Sequence, residues 1–414
     1  MSVKISSFNI IIYFFALTGP LSTTPLDIYN LGITAFLFLI LTIALIKNNG
    51  EIKINSISAT FILSYFSFII LSIFSLCTSV TEITSTFYLT TFFSRLATAS
   101  LCLVILIEIS SWINTQHGDN ISTYLKLCFF STLVFLLFSL YQMIAFEYNL
   151  PFIETRSNVY GASYETKKEL GFRLTSIARE PNFYAPLLIE SILLSLALTR
   201  KKFLFLFIPV TLFLIHKTHS TGAYLHLFLI LTAFILINRK STITIPFLIL
   251  ISLVMVFLLS YDLNNSFFIE KLKDEISGNS SRSYIYLTIL SEFFKSDTLH
   301  LLFGYGINTL QLFNELSQQK SHLDFSVSNN FYIDILWDSG IVGFILFVSY
   351  LIFIFIKLKK ISKKNRHGLL AFLFFINIII TSLYRSEYTT THFVWTSIIM
   401  LALYKLSLIH GDEK

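Results

Sequence analysis

The chain has 414 residues, 54% of them hydrophobic and only 13% charged, with 44 phenylalanines, 20 tyrosines and a formal charge of +6. This composition excludes a water-soluble globular surface, because the apolar residues come in runs of about 17–25, the length that crosses a bilayer core. Cys77, Cys102 and Cys128 all fall within or at the ends of such runs. They read as small apolar fillers rather than a disulfide or metal framework, and no nucleic-acid motif is present.

In chain order the runs predict twelve spans, at about 5–22, 29–46, 57–77, 92–113, 123–146, 182–199, 203–216, 221–238, 243–261, 331–356, 368–384 and 393–410. The first run, FNIIIYFFALTGPL, has one weak basic flank, Lys4, and no small-residue cleavage site, so a span is expected there rather than a cleaved signal peptide. Charge sets the expected orientation. With the N-terminus in the cytoplasm, the inner connections carry Lys47 and Lys53, Arg200 to Lys202, Arg239 and Lys240, and KLKKISKKNR from Lys357 to Arg366. The short outer connections at 23–28 and 78–91 hold no lysine or arginine. This is the positive-inside pattern, and an even number of spans leaves both termini cytoplasmic. The predicted architecture is therefore one all-α polytopic membrane domain over 1–414.

Two long outward loops are expected, at 147–181 and 262–330. Within the second, SFFIEKLKDEI, SYIYLTILSEFF and INTLQLFNELSQQ place apolar residues at helical spacing, so short amphipathic helices at the outer interface are expected. No transporter-type repeat is visible.

Outward-facing basic residues beside spans call for an explanation, and the candidates are Arg95, Arg173, Arg179, Lys217, Arg282 and Arg385. Arg95 either snorkels to the headgroups or joins an anion site. Guanidinium forks bind phosphate bidentately and suit a diphosphate, bound or leaving. In RLTSIAREPNFYAP, Pro181 fits the first turn of a helix with Glu180 at its cap, and such an N-terminus offers free N–H groups to an anion. Arg179 and Glu180 admit a second reading, a mutual ion pair closing the helix end. HKTHSTGAY supplies Lys217, His219 and Ser220 at a turn that is either a polar hairpin tip or part of a site. SGNSSRSYIY resembles a helix start with Ser280 or Ser281 as cap, where Arg282 opposes the helix dipole. FGYG, 303–306, reads as a tight turn without the Lys-Ser/Thr of a phosphate-binding loop. In SVSNNFYIDILWDSGIVGFILF, Asn329 and Asn330 either cap a helix or bind sugar hydroxyls. Asp334 and Asp338 share a helical face and include a candidate general base, and Gly340 and Gly343 permit close helix approach. Glu190 and His226 are polar residues inside spans and are expected to face the bundle interior.

Taken in order, RLTSIAREPNFYA, STGAYL, SRSYIY, LFGYGINTL and SNNFYIDILWDSGIVGFILF resemble motifs of the O-antigen polymerase and ligase superfamily, the group of Wzy-type polymerases and lipid A core–O-antigen ligases, similar in layout to lipid-linked-sugar transferases of the GT-C kind. The resemblance implies that Arg173 and Arg179 bind the diphosphate of an undecaprenyl-linked glycan, with Arg282 assisting. Asn330 matches the asparagine of the family's His-Asn pair. Asn329 stands where ligases carry a histidine, and asparagine cannot serve as a base. Thr221 likewise stands where an arginine is common. Glu180, Asp334 and His322 remain as candidate bases.

The leading expectation is a polymerase that extends lipid-linked glycan at the periplasmic face of a bacterial inner membrane. It needs no nucleotide, metal or other cofactor, and works beside a flippase and a chain-length regulator in lipopolysaccharide or other polysaccharide biosynthesis. The expected catalytic set is Arg173, Arg179, Glu180 and Asp334, with Arg95, Lys217, His219, Arg282, Asn329 and Asn330 binding substrate. The competing expectations are an O-antigen ligase and, in another class, a lipid-linked oligosaccharide flippase or transporter.

Overall fold

The computed structural model describes residues 7–24, 52–79, 86–152, 173–199, 201–237, 281–310, 328–386 and 388–410. Among these the regular elements are helical. They are α1 (Ser7–Thr18, continued by a 3-10 turn over Gly19–Thr23), α2 (Ser56–Ser79), α3 (Thr86–Thr115), α4 (Gly118–Glu147), α5 (Pro181–Leu198), α6 (Lys201–Lys217) and α7 (Thr221–Ile237). They continue with α8 (Ser281–Phe294), α9 (Thr298–Phe303), α10 (Phe331–Ser362), α11 (Arg366–Thr381) and α12 (Thr391–Ile409). Six are long and apolar enough to cross a membrane, and the protein is an all-α integral membrane protein. Ten of the predicted spans fall on these helices. Those at 29–46 and 243–261 lie outside the described residues, as do SFFIEKLKDEI, most of INTLQLFNELSQQ, and His322.

The spanning helices are apolar on every side, as lipid requires. Phe205 and Leu206 of α6 are 84% and 71% exposed, which is unfavourable in water and neutral against acyl chains. The centre of the bundle is α12, in which Ile398 to Leu403 are all buried. It packs on α11, α3, α4 and the 3-10 turn. Trp395 fits there because Gly19 has no side chain: a Cβ on Gly19 would lie 2.2 Å from the indole. The Trp395 indole N–H donates to the Ala16 carbonyl at 2.9 Å.

The two ends of the bundle are closed by different hydrogen bonds. At one end Asn365 caps α11 and donates to the Ser407 carbonyl at 2.8 Å, and Asn55 donates to Asn114 at 2.8 Å. This end carries Lys53 and the basic segment Lys357 to Arg366. At the other end, hydrogen bonds join the connections to one another. Leu174 N donates to Lys217 O at 2.9 Å, Arg179 N to Thr23 O at 2.8 Å and Phe331 N to Ser382 O at 2.9 Å.

The expected span at 331–356 is corrected by the structure. Gly340 has φ 66° and ψ −171°, which breaks α10. The rings of Phe331 and Phe347 are 5.0 Å apart, whereas sixteen residues of unbroken helix would separate them by about 24 Å. The arm 331–339 therefore folds back on the arm 341–362, and only the second arm is placed to descend through the bundle. Gly340 does permit a close approach, to the last residues of the short helix α9: a Cβ there would lie 2.4 Å from the Leu302 carbonyl carbon. Gly304 is its counterpart, with φ 78° and space for a Cβ only 2.5 Å from Trp337 O. The FGYG turn satisfies carbonyls freed by the break. Tyr305 N donates to Trp337 O at 2.8 Å and Gly306 N to Asp338 O at 2.9 Å.

Residues 281–310 form a small folded cap on this hairpin. Ile289 and Phe293 of α8 pack with Leu310 and Trp337. Tyr305 stacks between His300 at 4.3 Å and Trp337 at 4.6 Å. Asp297 caps α9 and also meets the His300 ring.

Candidate active site

The fold-back at Gly340 creates a cleft. Asp334 and Asp338 lie one turn apart on the short arm and are 7% and 3% exposed. Opposite them are Arg95 from α3, Asn308 from the turn after α9, and Ser386 and Tyr388 from the α11–α12 connection. Together they line an open cleft of about 430 Å³. Ser328 N donates to Asp334 Oδ1 at 3.1 Å, and the Ser386 hydroxyl engages the same carboxyl. The Tyr388 hydroxyl donates to Asp338 Oδ2, and the Asn308 backbone N–H is also directed at Asp338. Burial, then the negative charge of Asp338, push the Tyr388 phenol well above its ordinary value, so it stays a donor. Arg95 lies within electrostatic reach of Tyr388. A cation, two hydrogen-bonded carboxylates and a phenol thus share one polar cavity at the loop-rich end.

The second half of the end is built on the start of α5. Pro181 occupies its first turn and Glu180 is the N-cap residue, but the cap bond is not made by the Glu180 side chain. Its carboxylate instead faces, through space, the Arg385 guanidinium. Arg179 Nε donates to Thr24 O at 2.8 Å, and burial lowers its pKa. Arg173 donates from Nε to Thr218 O at 3.1 Å and from Nη2 to His219 O at 3.0 Å. This fixes the 217–219 turn against the 173–180 segment. The Ser220 hydroxyl donates to Asn182 Oδ1 at 2.7 Å, so the EPN and HSTGAY segments, far apart in sequence, form one unit.

The sequence candidates therefore fall into two groups. Arg95 and Asp334 meet in the cleft. Arg173, Arg179, Glu180, Lys217 and His219 gather around the start of α5. Lys217 ends α6 with its ammonium 5.6 Å from the Phe213 ring centroid, and His219 adopts φ 46° beside His216. Arg282 sits in the first turn of α8, within electrostatic reach of Tyr384. Asn330 is the N-cap of α10, accepting from Tyr332 N at 3.0 Å and Ile333 N at 3.4 Å, so its amide oxygen is committed to the helix. Asn329 precedes it, exposed and at φ 59°.

Sequence reasoning did not select Asn308, Ser386 or Tyr388. Their signals were a polar RSEYTT stretch between the last two spans and an asparagine after the FGYG turn, at φ 61°. Glu190 and His226 are both fully buried, as expected of polar groups facing the bundle interior.

Residues 203–348, about a third of the chain, match the family model Wzy_C, described as O-antigen ligase. The match runs from α6 into the second arm of α10 and contains Lys217, His219, Arg282, Asn329, Asn330, Asp334 and Asp338. Arg95, Arg173, Arg179 and Glu180 lie before it. It supports the O-antigen polymerase and ligase superfamily, and with it a part in surface-polysaccharide assembly. A search of curated proteins finds no match.

Proposed function

We propose that the protein is a glycosyltransferase that moves glycan from an undecaprenyl diphosphate carrier to a hydroxyl of the next lipid-linked repeat unit, a polymerase working on the periplasmic face of the inner membrane. The observation that carries this reading is the cleft in which Asp334, Asp338, Tyr388 and Arg95 converge, at the same end of the bundle as Arg173 and Arg179. The basic segment Lys357 to Arg366 lies at the opposite end, which supports placing that end and both termini in the cytoplasm.

In the reaction the acceptor hydroxyl oxygen attacks the anomeric carbon. The carbon–oxygen bond to the diphosphate breaks, and the electron pair leaves with the diphosphate. Asp334 takes the hydroxyl proton. Asp338, held by Tyr388, fixes the opposite wall of the cleft. Arg179 and the N–H groups at the start of α5 stabilise the growing negative charge, and Arg173 holds the 217–219 turn in place beside them. Arg95 and Arg282 assist in holding substrate. The donor is already activated, so the scheme uses no nucleotide or metal.

A ligase is the second reading, favoured by the description of the matched family. The same cleft would serve it, with a different lipid acceptor. Two measurements separate the readings. Purified protein given a lipid-linked repeat unit should form products longer than one unit, and Asp334→Asn should abolish them without loss of folded protein. In cells, loss of a polymerase leaves surface glycans capped by a single repeat unit, whereas loss of a ligase leaves none. A protein that moves lipid-linked glycan between leaflets but joins no sugars in detergent would sink both readings in favour of transport.

A further inference from the structure

The carboxylate cleft holds one polar side chain that the scheme above does not employ. Asn308 lines the cleft with Asp334 and Asp338. Its side-chain amide nitrogen is buried and, among the described residues, has no hydrogen-bond partner. A buried N–H left unpaired is costly, and folded proteins carry few of them.

The surrounding turn fixes Asn308 in place. Its backbone is left-handed, at φ 61°, a region that asparagine enters more readily than most residues. Gly306 N donates to Asp338 O at 2.9 Å, and the Thr309 hydroxyl donates to Gly306 O at 2.7 Å. The Trp337 indole N–H donates to the Thr309 hydroxyl at 3.1 Å. The Asn308 backbone N–H is directed at Asp338, so the unpaired amide stands close to that carboxylate.

The other neutral donors at the carboxylates are already engaged. Ser328 N and the Ser386 hydroxyl serve Asp334, and the Tyr388 hydroxyl serves Asp338. What the cleft offers a ligand is therefore a pair of acceptors, the carboxylates, beside a neutral donor, the Asn308 amide. A hydroxyl satisfies both at once, because its oxygen accepts from the amide while its hydrogen goes to a carboxylate. An anionic ligand group has no proton to give there, and the two carboxylates repel it. The fitting ligand is a neutral polyol, and a sugar carries such hydroxyls on adjacent carbons.

We propose that Asn308 binds the acceptor sugar. Its Nδ2–H donates to the hydroxyl next to the attacking one, and that hydroxyl donates in turn to Asp338. The attacking hydroxyl is thereby turned toward Asp334, one helical turn away on the same arm. This rests on the reading of the cleft as the place where glycan is joined. It makes Asn308 a determinant of which hydroxyl is extended.

The test is elongation by detergent-solubilised full-length protein, using lipid-linked repeat units in which one hydroxyl of the acceptor sugar at a time is replaced by hydrogen. In wild type, loss of the hydroxyl beside the attacking one should lower kcat/KM at least tenfold, because the amide and the carboxylate both lose their partner. In Asn308→Gly, which suits the left-handed backbone, the complete repeat unit should show a raised KM. The same deoxygenation should then cost less than threefold. A merely structural role for Asn308 would lower the rates on all units by one common factor, and that result overturns the proposal. Thermal unfolding checks the fold; should Asn308→Gly not fold, Asn308→Asp, equal in shape but without the donor, is held to the same criterion. The wild-type series decides without any variant: if no hydroxyl other than the attacking one matters by more than threefold, the proposal falls while the polymerase reading stands. A wild type that elongates no repeat unit at all removes that reading itself.

Discussion

Replacing Gly340 with alanine tests the reversal that forms the cleft. The backbone at φ 66°, ψ −171° belongs to a region open essentially to glycine alone, where a side chain costs about 1–3 kcal/mol. The new Cβ would also lie 2.4 Å from the carbonyl carbon of Leu302 and 2.5 Å from Phe303 N. Backbone on both sides leaves no side chain to swing away, so the 302–306 segment must retreat by about 1 Å to restore ordinary contact. That motion stretches the bonds from Tyr305 N to Trp337 O and from Gly306 N to Asp338 O, each contributing about 1 kcal/mol. The expected loss is therefore about 3–5 kcal/mol, read by denaturant or thermal unfolding in detergent. Elongating activity should be lost, because Asn308 and Asp338 no longer face each other. Gly304→Ala attacks the same contact from the other side, so the double variant should lose less than the two single losses combined. Gly222→Ala is the control: its Cβ would sit 3.6 Å from Tyr384, an ordinary contact, and stability should change by less than about 0.5 kcal/mol. Wild-type stability and activity in Gly340→Ala would refute the fold-back.

A further outcome follows from the buried polar groups. Glu190→Ala strands the donors of Asn377, His392 and Thr396 inside the bundle and should destabilise the folded protein by about 3–5 kcal/mol, with Glu190→Gln milder, as read by the same unfolding assay.

The spans were legible because a bilayer demands only length and apolarity, which are local. The runs at 57–77 and 182–199 fall within a residue or two of Ser56–Ser79 and Pro181–Leu198. The break at Gly340 was hidden for the same reason. The apolar run continues through it, and its cause is the backbone of Leu302 and Phe303, thirty-seven residues and more upstream. Asp334 and Arg95 were each visible as polar residues that a membrane chain would not carry idly. Their meeting depends on α3 and the short arm of α10 sharing a wall, which no spacing reveals. Arg173 was read as a ligand because its charge is visible in sequence. Its carbonyl partners at Thr218 and His219 are backbone atoms, which leave no mark on residue type.

The α11–α12 connection joins the two halves of the end, and Tyr388 is where that coupling can be cut most cleanly. On one side Arg385 rests on Phe183 of α5. On the other the Tyr388 hydroxyl donates to Asp338, while the Tyr388 carbonyl accepts from the Tyr65 hydroxyl. The Tyr388 ring stacks on Phe331 at 4.9 Å and meets Phe68 edge-on at 4.7 Å. Tyr388→Phe keeps the ring packing and the carbonyl bond and removes only the donor to Asp338. The buried carboxylate then lacks one partner, at about 1–3 kcal/mol, and turns toward another, most directly Arg95 across the cleft. If transfer needs Asp334, Asp338 and Arg95 in register, elongation should fall by roughly 10²-fold while farnesyl diphosphate still binds as in wild type, because the arginine half is untouched. Loss of both together would mean that the connection acts only as a structural clasp. Loss of neither would mean that the carboxylate cleft takes no part in sugar transfer.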